Sequence, residues 1–452
     1  MRRALPELLL AVACSALLLT VGGLTPAFTD YEEEAQPAIE ALLRGDVGRF
    51  LEGLPAYGGS VVLRAPFALL ADALGGGDLA VFRALAVPAL LAAAVLAAVQ
   101  AVRLRERGRP RAQRLLLVLL VALNPLTMRA LDVGHPEELL VGVLCVAAVL
   151  LALADRPVWA TVALGVAIGA KPWALVALAP VLLALPPGRV RVAAAAGAGA
   201  VATLVFAPVL LGRAGAELTV AVARDSGTIF QPWQVLWFFG DPTTSVLGAD
   251  ALVKEGYRAA PAWAAGSTKA LVVGVCALVS LLAWRRRVPR ERALVLLAAV
   301  LLLRCLLDTW NTDYYAVPFL LALVVWETRT HDRLPVLSVV ATGAAYATTY
   351  DLRYDVSPDA LAALYLAWSV PLAGALVWLS SRTAASTSAA PTSWPWTTSP
   401  GARTSTNGVG PSPTRFLSRA VARTTASAST PSIEVGSPAA ASSASTSSRS
   451  AP

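Results

Sequence analysis

Thr29-Asp30-Tyr31-Glu32-Glu33-Glu34-Ala35-Gln36-Pro37 follows directly on an apolar run, residues 5–28, and the contrast between the two decides the fold. The run is long enough to cross a bilayer. The stretch behind it, residues 29–60, holds seven acids (Asp30, Glu32, Glu33, Glu34, Glu40, Asp46, Glu52) against two arginines. Met1-Arg2-Arg3 precedes the run, and Thr25-Pro26-Ala27-Phe28 is a poor cleavage site, so the reading is a retained first span rather than a removed signal. A basic start places the N-terminus in the cytoplasm and the acidic loop outside.

The rest of the chain extends this pattern. Of 452 residues, 56% are hydrophobic and 15% charged, which excludes an ordinary soluble protein and points to an all-α polytopic membrane protein. The net charge of +8 comes from arginine clusters between apolar runs, where basic residues fix orientation, so no nucleic-acid partner is expected. Four cysteines (Cys14, Cys145, Cys276, Cys305) stand singly in apolar runs, which supports neither a disulfide framework nor a thiolate metal site.

Outward from the acidic loop, Ile39, Leu42, Leu43, Val47, Phe50, Leu51 and Leu54 recur at helical spacing, which suits interfacial helices broken at Gly45. Residues 61–74, with Arg64 and Pro66, read as a partial helix, and 78–102 as a span returning inward. Six arginines between Arg103 and Arg114 mark the cytoplasm. Spans are expected at 115–130, 137–154, 192–211, 262–284, 334–350 and 359–381, with short paired segments within 158–186, split at Gly169-Ala170-Lys171-Pro172, and at 293–307 and 314–326. The total is about twelve membrane segments within residues 1–381, with both termini inside. Residues 212–261 form a longer outer segment with an aromatic stretch, Phe230 to Phe239. Residues 382–452, rich in Ser, Thr, Ala and Pro, read as a disordered cytoplasmic tail.

On this threading the polar clusters share the outer side: Asp30/Glu32, Asp132/His135/Glu137/Glu138, Lys171, Gln231/Trp233 and Trp310/Asn311/Asp313/Tyr314. Sugar transfer to a hydroxyl needs a carboxylate base within hydrogen-bond reach, and Asp30 is the leading candidate with Glu32 in reserve. A carboxylate pair two apart also suits a divalent cation. The bland reading is an acidic helix start, which covers Glu32, Glu33 and Glu34, and Glu137 and Glu138 as well. His135 suits a phosphate oxygen or a proton. Lys171, inside an apolar run, pairs with a phosphate or a carboxylate, or snorkels to the interface. Arg304 and Asp308, four apart, pair with each other on one helix face. Trp310, Trp233 and Tyr314 stack on sugar rings or belong to an aromatic belt.

The layout resembles the glycosyltransferase-C superfamily, and within it the polyprenol-phosphate-mannose-dependent mannosyltransferase-like integral membrane proteins of bacteria. Asp30-Tyr31-Glu32 in the first outer loop, Gly134-His135-Pro136-Glu137-Glu138, Gly169-Ala170-Lys171-Pro172-Trp173 and Trp310-Asn311-Thr312-Asp313-Tyr314-Tyr315-Ala316-Val317-Pro318 carry the resemblance, over about residues 5–380. It implies a polyprenyl-phosphate-sugar donor, a lipid or glycan acceptor and inverting transfer on the outer face. Asp30 would then take the acceptor proton, and His135 and Lys171 would meet the donor phosphate. The acids that follow Asp30 leave the choice of base open, and nothing selects mannose. The rival readings are a transporter or flippase of lipid-linked or small substrates and a catalytically silent envelope scaffold.

Overall fold

In the computed structural model the described residues are 5–27, 29–212, 217, 219–221, 230–243, 246–247, 253–254 and 256–383. The expected tail lies, beyond Thr383, outside them, as do Met1-Arg2-Arg3 and much of the 212–261 segment.

Helix α1 (Leu5–Gly22) leads to three short helices, α2 (Asp30–Glu34), α3 (Gln36–Leu43) and α4 (Val47–Glu52). Gly45, at φ +78°, makes the break between the last two, and the Asp46 carboxylate caps α4 by accepting from the Arg49 N–H. Then come α5 (Gly58–Ala73), α6 (Asp78–Glu106), α7 (Arg111–Ala122), α8 (Pro125–Asp132) and α9 (Glu137–Leu153). Asn124 caps α8 through the Leu126 N–H, with Pro125 preset for the first turn. α10 (Pro157–Ala170) ends where Pro172 forbids continuation; a 3-10 turn and α11 (Leu178–Ala184) follow, then α12 (Arg189–Leu211). After the 230–259 segment lie α13 (Thr268–Arg285), α14 (Ala293–Leu307), α15 (Val317–Thr330), α16 (Val336–Thr349) and α17 (Pro358–Ser380).

Six described helices are long and apolar enough to cross a membrane: residues 5–22, 78–106, 111–132 (α7 and α8 together), 189–211, 268–285 and 358–380. Of the twelve or so membrane segments expected, these are the ones among the described residues that meet that measure. The other segments exist as helices near the expected bounds, but α14 and α15 have 15 and 14 residues. At about 1.5 Å per residue they fall short of a hydrocarbon layer about 30 Å thick. Both are buried almost all round, so they form the centre of the bundle, with α9 against α15.

The expectation of an all-helical chain is amended. Residues 241–259 contain two small antiparallel ladders, β1 (Asp241–Pro242) with β4 (Arg258–Ala259) and β2 (Val246–Leu247) with β3 (Val253–Lys254). The stripe of the first loop is likewise less a membrane face than a protein face. Ile39, Phe50 and Leu54 are buried in a cluster with α5, α6 and Val209 of α12, while Val47 stays exposed. The loop is thereby docked on the bundle, which fixes where Asp30 emerges.

Candidate active site

Gly134 sets the geometry. It sits at φ +92°, and a Cβ there would lie 2.5 Å from the Cβ of Tyr31 and 2.9 Å from its nitrogen. Only glycine allows the α8–α9 turn to press against the start of α2 in this way. Tyr31 is anchored on Phe82 of α6 (ring centroids 5.0 Å). The neighbouring Asp30 therefore meets His135: its Oδ2 lies 2.9 Å from Nε2, while Nδ1 lies 2.6 Å from Glu137 Oε1. Tyr314 stacks on the imidazole at 5.1 Å and Tyr57 meets it edge-on at 5.3 Å.

Exposure falls steeply along this line. The Asp30 side chain is 50% exposed, His135 6%, Glu137 0%. Burial pushes the imidazole towards its neutral form, but the Glu137 charge and the hydrogen bonds to Asp30 and Glu137 outweigh it, so its pKa rises to about 9. At neutral pH His135 is an imidazolium donating to two carboxylates. Burial holds the phenols of Tyr57 and Tyr314 well above their ordinary range, so both stay neutral.

Behind His135 lies a dense ionic cluster. Lys171 Nζ is 3.1 Å from Glu137 Oε1 and 2.9 Å from Glu138 Oε1. Pro172 holds Lys171 extended (φ −151°, ψ 115°), which turns its side chain out of the α10 axis towards the start of α9. Arg64 of α5 approaches Glu137 Oε2 at 3.2 Å, although not in hydrogen-bonding alignment. Arg304 of α14 reaches both Glu138 oxygens at 3.3 Å, sandwiched between Trp173 and Tyr315 at 4.3 Å from each ring. The Trp173 indole N–H also donates to Glu138 Oε1. Two buried carboxylates thus face three fixed cations, whose attraction offsets the cost of taking them out of water.

This placement selects the carboxylate reading of Lys171 and corrects the expected pairing of Arg304. Lys171 does not snorkel; its ammonium turns inward. Arg304 and Asp308 do not serve each other: Arg304 goes to Glu138, and Asp308 takes both oxygens to Lys269 at 2.9 Å. Burial is the reason, since a desolvated carboxylate needs a cation within reach: Glu138 meets the buried Arg304 and Asp308 the part-exposed Lys269.

The remaining sequence candidates divide. Glu32 is exposed, on the surface of α2. Trp233 is buried, its indole N–H donating to the Thr348 carbonyl at 2.7 Å. Asn311 is buried and donates to the Trp233 carbonyl and the Tyr365 hydroxyl. The Gln231 backbone N–H donates to the Thr309 carbonyl. Asp313 holds Arg129 at 3.2 Å, and Arg129 also pairs with Asp132 and lies over the Tyr350 ring. Trp310 is half-buried, with Lys269 5.7 Å from its ring centroid. These residues knit the 230–237 and 308–316 loops together, and Tyr314 links that assembly to His135. Among the described residues no group of three or more His, Cys, Asp or Glu side chains could hold a metal ion.

Sequence reasoning gave Arg64 and Arg304 no place in the site. The signal was available: each is an arginine inside an apolar helix, where an ionisable group is costly enough to need a function or a partner.

The family model of glycosyltransferase family 87 matches residues 59–309, more than half of the chain. The chain belongs to glycosyltransferase family 87. Membership favours the enzyme over the transporter, and with the six long apolar helices it makes this family 87 protein a multi-pass membrane glycosyltransferase. The match takes in Arg64, His135, Glu137, Glu138, Lys171, Gln231, Trp233 and Arg304; it begins after Asp30 and Glu32 and ends before Trp310. Comparison with curated proteins and with solved structures returns no match.

Proposed function

We propose that this family 87 glycosyltransferase moves a sugar from a polyprenyl-phosphate donor to an acceptor hydroxyl, on a lipid or glycan, at the outer membrane face, with both termini cytoplasmic. The reading rests chiefly on one observation: Asp30 is a half-exposed carboxylate with one oxygen held by a buried imidazole. The other oxygen takes the acceptor proton as the hydroxyl attacks the anomeric carbon. The carbon–oxygen bond to the donor phosphate breaks on the opposite side, so the configuration inverts and polyprenyl phosphate leaves.

His135 is a positioning residue that holds one Asp30 oxygen and fixes the rotamer of that carboxylate. Glu137, Glu138, Lys171, Arg64 and Arg304 form the rigid floor beneath it. Lys171 acts on this floor rather than on the donor phosphate, because two carboxylates already take its ammonium. Mannose is one candidate sugar.

The test is transfer by the purified full-length protein from radiolabelled polyprenyl-phosphate mannose and polyprenyl-phosphate glucose to extracted envelope lipids. Transfer from either donor with inverted configuration supports the reading. No transfer from any polyprenyl-phosphate sugar by folded protein favours the silent scaffold.

A further inference from the structure

An open groove of about 670 Å³ runs beside the outer end of α6, lined by Leu19 of α1 and by Leu79, Ala80, Arg83, Ala84 and Val87. Its lining is apolar apart from Asp78, exposed at the first turn of α6, and Arg83. A small cleft of about 10 Å³ shares Leu19 and Arg83 with the groove and is lined also by Tyr31, Arg64, Gly134 and Pro136. Arg83 therefore stands where an open, mostly apolar groove meets the wall built by Tyr31, Gly134 and Pro136, the chain neighbours of Asp30 and His135.

The Arg83 side chain is half-buried, and its Nε donates to the Gly23 carbonyl at 2.7 Å. That bond fixes the guanidinium plane. Its two amino groups have no acceptor among the described residues. Every cation of the ionic floor, by contrast, is committed to a buried carboxylate.

We infer that Arg83 binds the phosphate of the isoprenyl-phosphate donor, whose hydrocarbon chain lies in the α1–α6 groove. This rests on the donor class proposed above. A single guanidinium at the end of an apolar groove complements an amphiphile with one anionic head and one flexible chain, and its planar pair of amino groups suits two phosphate oxygens.

The test is calorimetric titration of the full-length protein in detergent with farnesyl phosphate, and with farnesol and dioleoyl phosphatidic acid as controls. Arg83→Gln is expected to raise the Kd for farnesyl phosphate about tenfold or more and to leave weak farnesol binding unchanged. Arg83→Lys keeps the charge and recovers most of the affinity. Ala84→Phe fills the groove and weakens farnesyl phosphate and farnesol alike. Phosphatidic acid, with two chains, does not displace farnesyl phosphate at equal concentration.

Unchanged affinity in Arg83→Gln, or in Ala84→Phe should the first variant not fold, overturns the assignment. So does displacement by phosphatidic acid, which would mark a general lipid site. Arg83-dependent binding without sugar transfer from any lipid donor would sink the catalytic reading and leave the groove standing. Asp30-dependent transfer with an unaltered donor KM in Arg83→Gln would do the reverse.

Discussion

Asp30/Glu32 and Glu137/Glu138 look alike in the sequence: each is an acidic pair opening a helix beside an apolar segment. Their environments are opposite. Glu137 and Glu138 are wholly buried and face Arg64, Lys171 and Arg304, delivered by α5, the α10–α11 break and α14. Asp30 is half in solvent, and among the described residues its one ionic partner at close range is His135. An acid surrounded by fixed cations is a structural tie; an acid with one oxygen held and the other open suits the role of base proposed for Asp30. Where the cations come from decides which is which, and that is a property of the fold rather than of the local sequence.

If this contrast is sound, the largest loss of stability comes from the buried pair. Glu138→Ala leaves Arg304 and Lys171 facing a void in the core, and should cost about 3–5 kcal/mol in chemical denaturation. The double replacement Glu138→Leu with Arg304→Met should regain most of that loss, because no uncompensated charge remains. A double variant as unstable as the single one would mean that the cluster does more than balance charge.

Gly134→Ala comes next. It forces a side chain into a φ of +92° and against Tyr31, and should cost about 1–3 kcal/mol while displacing Asp30 from His135. Turnover should fall more than stability, which comparison of kcat with the thermal midpoint would reveal; equal falls would deny Gly134 its positioning role.

A smaller effect tests His135. Its folded pKa of about 9 lies above the ordinary value of 6.5. Its stabilising contribution is therefore fully present below about pH 6.5 and is lost as pH rises through about 9. The thermal midpoint of the native protein should decline over that window, and His135→Gln should flatten the decline. A native profile already flat from pH 6.5 to 9.5 would remove the imidazolium from the site. The smallest effect is that of Glu32→Gln, at an exposed surface position: turnover within about twofold and stability within about 0.5 kcal/mol of the native protein.

Much of the helical layout was legible in the sequence. The apolar runs, the break at Lys171-Pro172 and the divide at Gly45 fell close to their observed places, because hydrophobic length and proline chemistry act locally. What was not legible was how many helices are long enough to cross a bilayer. Residues 293–307 and 317–326 are unbroken apolar runs but for Arg304, yet α14 and α15 are buried in the bundle, and composition does not separate lipid from protein as the surrounding medium. The gathering of Asp30, His135, Lys171 and Tyr314 was foreshadowed by their shared side. The partners of Lys171, Arg304 and Asp308 were not, since each lies more than thirty residues away in the chain. The small ladders at 241–259 carried no alternating pattern long enough to announce them.

The most direct test of the contrast is one preparation series comparing the native protein, Asp30→Asn and Glu137→Gln for both sugar transfer and thermal midpoint. The expected result is that Asp30→Asn keeps its midpoint within about 2 °C and loses transfer by about 10²–10⁴-fold, while Glu137→Gln loses much of its midpoint. Undiminished transfer by Asp30→Asn, or a midpoint that collapses with it, would contradict the assignment of Asp30 as the base.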